Sequence, residues 1–196
     1  MHWADYTAQR LMERGTEQVS ASGITPSGEF HIGHLREILS AEMIHRACLD
    51  AGMSSKYVFI VDSMDPLRRV YDFLSPDYEE YIGCPLAFIP APRDDGSPGD
   101  GSVTYADYFL APFLESLEQI GVRPEVVMNH ETYEEGLFAE YIDSAITNRE
   151  EIREIIQKIS GRELPAEWFP YNPMGSNGSL DGVVVTGYEK PYVHWT

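Results

Sequence analysis

Between Ala21 and His34 the chain reads Ala21-Ser22-Gly23-Ile24-Thr25-Pro26-Ser27-Gly28-Glu29-Phe30-His31-Ile32-Gly33-His34. A short run ends at Gly23-Ile24, a loop carrying Thr25, Pro26, Ser27 and Gly28 follows, and a long helical pattern opens at His31. Strand, glycine-bearing turn, helix is how α/β folds offer a helix N-terminus to an anion, because the first helical N–H groups have no partner inside the helix. His31 and His34 stand three apart, so both lie on one face of the first turn. Gly33 between them leaves room for a planar base or a backbone to come close. Taken alone, the two histidines would also suit a plain surface or a weak metal pair. The preceding loop and the following amphipathic helix are the context that points to an anion site instead.

The flanking pattern extends this into a fold. Residues 4–14 form a short helical pattern with Ala4, Ala8 and Leu11 in phase, stopped at Gly15. Residues 17–24 read as the first strand. Residues 31–51 form the long helix, with Leu35, Ile38, Leu39, Met43 and Ala47 on one stripe and Glu37, Arg46 and Asp50 on a solvated face. The run Lys56-Tyr57-Val58-Phe59-Ile60-Val61-Asp62 reads as a buried parallel strand. Strand, crossover helix and strand make a right-handed βαβ unit. The predicted class is therefore α/β: a Rossmann-like parallel sheet with flanking helices.

Residues 67–103 are irregular. Tyr71, Phe73, Tyr78 and Tyr81 supply apolar mass, and Pro90, Pro92, Asp94-Asp95-Gly96, Pro98-Gly99 and Asp100-Gly101 punctuate a loop long enough for a lid. Arg93 within it reads as a surface arginine. Thr104 caps a predicted helix over 105–120, with Phe109, Phe113, Leu117 and Ile120 as its buried stripe and Pro112 as a kink or restart. Residues 125–129 read as the third strand. Thr132 with Glu135 and Thr147 with Glu150 read as capping boxes, the first for a helix over 133–146. The second opens a helix with Ile152, Ile155, Ile156 and Ile159 on one face and Gly161 as its stop. Residues 162–181 read as a connecting loop, and 183–186 as a further strand. Tyr192 to Thr196 carry no capping or termination signal and read as the end of a fragment.

Composition narrows what the chain does. With 43% hydrophobic and 23% charged residues it has the balance of a globular protein, and 196 residues suffice for one domain with a sizeable core. No run of about 18 apolar residues is present, so no membrane span is predicted. No basic-then-apolar leader precedes Met1-His2-Trp3, so the expected compartment is cytoplasmic. Cys48 and Cys84 are too few for a cysteine zinc site and are expected as free thiols; no metal ligands are assigned. The formal charge is -18, with Lys56, Lys158 and Lys190 as the only lysines against 32 carboxylates. A nucleic-acid surface is basic, so strong nucleic-acid binding by this chain alone is not expected. Either the basic contacts lie outside it, or the surface suits high salt, where self-repulsion is screened.

The stretch from Ala21 to Glu37 resembles the nucleotide-binding motif of class I aminoacyl-tRNA synthetases. More narrowly, it resembles class I lysyl-tRNA synthetase of the archaeal and bacterial type. His2-Trp3-Ala4-Asp5, Phe109-Leu110-Ala111-Pro112-Phe113-Leu114-Glu115-Ser116-Leu117 and Val184-Val185-Thr186-Gly187-Tyr188 resemble the same family. The resemblance runs from end to end of the chain and implies that residues 1–196 are the N-terminal part of the family's catalytic domain. That part would include an irregular insert near 67–103 and the start of a further insertion near 162–196. A second catalytic half with a mobile lysine-bearing loop, and an anticodon-binding domain, would follow.

The resemblance implies ATP-dependent activation of lysine and its ligation to tRNA(Lys). It implies catalytic roles for His31 and His34 at the phosphates, with Pro26, Ser27 and Gly33 beside them at ATP, and it sets Gly23 and Thr25 at the amino acid. ATP enters as substrate with Mg²⁺ carried on its phosphates, and the acceptor end of tRNA(Lys) is the implied partner. Recognition of a lysine ammonium needs buried acceptors. Asp62 and Asp65 follow the second strand, where ligands of parallel sheets bind. Asp62-Ser63-Met64-Asp65 is less acidic than the family's usual cluster, and Asp65 before Pro66 also reads as a turn start. Two other readings stay open. One is a different nucleotidyltransferase or synthetase built on the same His-x-Gly-His element; the other is a stand-alone ATP- or amino-acid-binding module without turnover.

Overall fold

A computed structural model describes all 196 residues. Helix α1 (Trp3–Met12) leads into strand β1 (Glu17–Ile24), helix α2 (Ile32–Asp50) and strand β2 (Ser54–Val61). A long segment with two short 3₁₀ turns, Pro76–Tyr81 and Leu86–Phe88, precedes helix α3 (Tyr105–Gln119) and strand β3 (Glu125–Met128). Helices α4 (Asn129–Glu134), α5 (Ala139–Thr147) and α6 (Arg149–Ser160) follow, and strands β4 (Val185–Glu189) and β5 (Tyr192–Trp195) close the chain.

The first three strands form one parallel sheet in the order β1-β2-β3, as the α/β reading requires. The register matters for function. Ile24 lies opposite Val61, and Val61 lies opposite Met128. All three strands therefore finish level, and the segments that leave them start side by side at the carboxyl edge of the sheet.

One face of the sheet carries the main core. Ile24, Tyr57, Phe59 and Val61 pack against Ile38 and Ala41 of α2 and against Leu110, Phe113 and Leu117 of α3. The other face is not covered in the same way: Val19 is 66% exposed and Ile60 37%. So β2 is not buried on both faces, as its continuous apolar run predicted, but alternates between Tyr57, Phe59 and Val61 inward and Lys56 and Ile60 outward. A small third cluster joins Ala4 and Ala8 of α1 to Ala47, Cys48 and Met53.

Residues 67–103 are not a loose lid. Leu67, Leu74, Tyr78, Leu86 and Ile89 form a second core with Tyr105, Ala106 and Phe109 of α3. Gly83 shows how tightly it is packed. Its φ is +86°, and a Cβ there would meet the Ser179 hydroxyl at 2.2 Å. Only glycine lets the 175–182 loop dock, with Leu180 N–H donating to the Gly83 carbonyl at 2.8 Å.

Several local predictions need correction. On α2 the buried set is Ile38, Ala41, Glu42, Ala47 and Cys48, and Met43 is 37% exposed. Arg46 is not merely solvated: its Nε contacts Glu42 Oε1 at 2.6 Å and its Nη2 donates to the Gly121 carbonyl at 2.8 Å. Helix α3 runs through Pro112 unbroken, and Ile120 at its end is 53% exposed. Neither capping box forms. Thr132 sits inside α4, where its hydroxyl donates to the Met128 carbonyl, and the predicted 133–146 helix is split into α4 and α5. Helix α6 is entered through Asn148 without a side-chain cap, though it does stop at left-handed Gly161. Its isoleucine face has no buried residue, and Ile155 and Ile159 are 48% and 81% exposed. The strand predicted at 183–186 is β4, two residues later, and the last residues pair with it antiparallel as β5. Cys48 and Cys84 are both free and buried. No helix is long and apolar enough to cross a membrane.

Candidate active site

The loop that leaves β1 is held from three sides. Asp62 N–H donates to the Ile24 carbonyl at 3.0 Å, tying the end of β1 to the residue after β2. Pro26 is fully buried beneath the loop. Tyr105, at the start of α3, donates its hydroxyl to the Ser27 carbonyl at 2.8 Å. The loop is thus shaped before any ligand arrives, which lowers the ordering cost of binding.

His31 is the N-cap of α2, in extended conformation at φ −134°. Its Nδ1 accepts the Gly33 N–H at 3.0 Å, and His34 Nδ1 reaches back to accept the His31 N–H at 3.0 Å. The two histidines form a reciprocal capping box of the kind usually built from Ser or Thr and Glu or Gln. Their rings lie 4.0 Å apart between centroids. An Nδ1 that accepts from a backbone N–H leaves the proton of a neutral imidazole on Nε2. Both rings are therefore fixed as Nε2–H donors. Burial pushes the His34 pKa below 6.5, the neighbouring His31 pushes it the same way, and Glu37 opposes them weakly.

This geometry refines the sequence argument at two points. The helix N-terminus does not present all its free N–H groups outward, since Gly33 N–H is already engaged by His31. The space beside Gly33 is filled by the His31 ring, because a Cβ at Gly33 would stand 2.7 Å from its Cε1. Gly33 is required to let the imidazole fold back over the helix end.

A carboxylate group stands next to the histidines. Thr25 donates its hydroxyl to Asp65 Oδ2 at 2.5 Å, and Gly23 N–H donates to Glu37 Oε1 at 3.1 Å. Asp62 Oδ2 lies 3.6 Å from the position of a Cβ on Gly23. Burial raises the Asp62 pKa, and the negative charges of Asp65 and Glu37 raise it further. Gly23, Thr25, Asp62 and Asp65, proposed together from sequence, are thus brought together around the end of β1. Glu37 is exposed, as the sequence predicts, but its contact with the Gly23 N–H was missed. The signal was available, because it lies one helical turn beyond His34 and so faces the same way.

Sequence reasoning also missed the contribution of β3. Asn129, the first residue beyond it, donates Nδ2–H to Asp62 Oδ1 at 3.3 Å and accepts the Met64 N–H on Oδ1 at 2.8 Å. The buried Ser63 hydroxyl lies 2.7 Å from His130 Nδ1 and 3.1 Å from Asn129 Oδ1. Two open clefts flank the loop. One of about 840 Å³ is lined by Glu29, Phe30, Phe73, Arg93 and Tyr108. The other, about 460 Å³, is lined by Asp65, Arg68, Asn129, Tyr133 and Tyr171. No three His, Cys, Asp or Glu side chains stand together so as to hold a metal ion.

The family model described as tRNA synthetases class I (K) matches residues 1–195. The chain belongs to this family. The chain is also similar to a "Lysine--tRNA ligase" of Archaeoglobus fulgidus, 42% identical over all 196 residues. A second, from Picrophilus torridus, is 39% identical over 196 residues, and a third, from Methanocaldococcus jannaschii, is 41% identical over 188 residues. The chain covers 38%, 37% and 34% of the lengths of these proteins, respectively. The part matched in each is the part that carries the His31–His34 helix end and the acidic cluster in this chain.

Proposed function

We propose that this chain is the nucleotide- and lysine-binding part of a lysine–tRNA ligase, formed by the N-terminal part of the catalytic domain. The observation that carries the reading is one juxtaposition: two Nε2–H donors at a helix N-terminus, next to three carboxylates at the ends of β1 and β2. The donors suit a polyphosphate and the carboxylates suit an ammonium group.

In this reading the lysine carboxylate attacks the α-phosphorus of ATP, a P–O bond forms, and the bond to pyrophosphate breaks. Negative charge gathers on phosphate oxygens, so the protein acts by positioning and by electrostatic stabilisation, with no protein nucleophile. His31 and His34 donate from Nε2 to those oxygens, and the α2 dipole adds partial positive charge at the same end. Ser27 and Gly33 border ATP, with Pro26 shaping the loop from below. Gly23 and Thr25 border the amino acid, and Asp62, Asp65 and Glu37 accept from its ammonium groups. Mg²⁺ enters with ATP and is held by phosphate oxygens and water. The activated lysyl group then passes to the acceptor end of tRNA(Lys), and the setting is the cytoplasm. The segments 67–103 and 162–196 are inserts that flank this site.

The test is calorimetric binding of each of the twenty amino acids, with and without a non-hydrolysable ATP analogue. Lysine binding above all others is the expected result. Preference for a different amino acid, or an ATP analogue that binds a chain lacking both imidazoles as well as it binds the unaltered one, overturns the reading.

A further inference from the structure

We infer that Asn129 is a positioning residue that holds the Asp62 carboxylate in place for a cationic ligand. This rests on the reading that the acidic cluster takes lysine.

The two oxygens of Asp62 face different ways. Oδ1 accepts from Asn129 Nδ2 at 3.3 Å. Oδ2 lies 3.6 Å from where a Cβ on Gly23 would stand, on the side of the candidate amino-acid site. One oxygen is anchored and the other is presented. Asn129 is itself fixed: its Oδ1 accepts from Met64 N–H at 2.8 Å and from the Ser63 hydroxyl at 3.1 Å. Ser63 is fully buried, accepts the His130 N–H at 3.2 Å, and lies 2.7 Å from His130 Nδ1. The carboxyl ends of β2 and β3 are stitched together through this amide and through the Ser63–His130 contacts beside it.

The choice of an amide has an electrostatic reason. The titratable groups around Asp62 are Glu37 on α2, Asp65 on its own loop and, through Ser63, His130 at the start of α4. A third carboxylate beside Asp62 would force sharing of a proton, since like charges at this distance do not both ionise. An amide has the same shape, keeps the acceptor for Met64, and supplies a donor that favours the charged carboxylate.

Asn129→Asp tests this, because it preserves the shape and the acceptor oxygen and replaces only the N–H that faces Asp62. The readouts are the Asp62 carboxyl titration by NMR and calorimetric lysine binding between pH 5 and 8, beside an ATP analogue. In Asn129→Asp the Asp62 titration is expected to rise by about one pH unit or more. The pH midpoint for lysine binding should rise with it, while ATP-analogue affinity stays within about twofold. The exchange Asp62→Asn with Asn129→Asp restores one charge and one amide, and the midpoint should return. Asn129→Ala should weaken lysine about tenfold, the loss of one charge-assisted hydrogen bond, and leave the ATP analogue unchanged. An unmoved Asp62 titration in Asn129→Asp, or an equal loss of lysine and ATP-analogue binding in Asn129→Ala, overturns the positioning role alone. Absence of lysine binding by the unaltered chain instead sinks the lysine reading, and the role assigned to Asn129 falls with it.

Discussion

His31 and His34 each use one ring nitrogen for the fold, the other being the one proposed to meet a ligand, and substitution can separate the two uses. Asparagine is among the best N-caps and still accepts from the Gly33 N–H, but it has no donor where Nε2 stands. His31→Asn is therefore expected to keep stability within about 0.5 kcal/mol while weakening an ATP analogue tenfold or more. His31→Ala loses both uses and should also cost about 1 kcal/mol in urea unfolding. His34 carries a pH signature. Its folded pKa lies below 6.5 because burial and the His31 ring disfavour the cation, so the unfolded chain binds this proton more readily. The contribution is complete above pH 6.5 and is lost as pH falls through the lower folded value. Glutamine reaches back from the same position in ordinary capping boxes. Melting temperatures of the unaltered chain should therefore fall more steeply just below pH 6.5 than those of His34→Gln; parallel curves would refute the assignment.

At the scale of elements, strand β2 separates what was legible in the sequence from what was not. Its apolar run gave the strand and its parallel neighbours, but it also predicted cover on both faces. Here one is covered: Phe59 is fully buried and Ile60 is 37% exposed. Phe59→Ala should cost about 3–5 kcal/mol, and Ile60→Thr less than about 1 kcal/mol; equal costs in urea titrations would show that something covers the outer face. The helix end at His31 was legible because turn chemistry and periodicity agreed there. The capping box at Thr132 failed because the chain leaves β3 directly as helix at Asn129, and that at Thr147 because Thr147 is still the last residue of α5. Asn129 was missed for a different reason. It acts across the level ends of β2 and β3, and register between strands far apart in sequence is a tertiary fact.

The whole molecule is held together against its own charge. The formal charge is -18, from 32 carboxylates and 14 Lys and Arg, and only six ion pairs form. Most acidic side chains therefore face water and one another. The imbalance persists where packing is weakest. Residues 131–163 carry nine carboxylates against four cations, and of α4, α5 and α6 only Ile146 is buried. With a screening length of about 10 Å at 0.1 M salt and about 3 Å at 1 M, added KCl should relieve this repulsion. The melting temperature is expected to rise steadily from low salt toward 1 M KCl, and NaCl should act alike, since screening depends on ionic strength. Hydrogen exchange should be fastest in α4–α6 at low salt and slow there first as salt is added, because local opening begins where few apolar contacts oppose it. Indifference of the melting temperature to salt would mean that the carboxylates are spaced widely enough to ignore one another. In the proposed reading the same field bears on function: it repels a polyanion such as tRNA, so the acceptor end would need attraction from groups other than this surface, and binding of tRNA by this chain alone should be weak at every salt concentration.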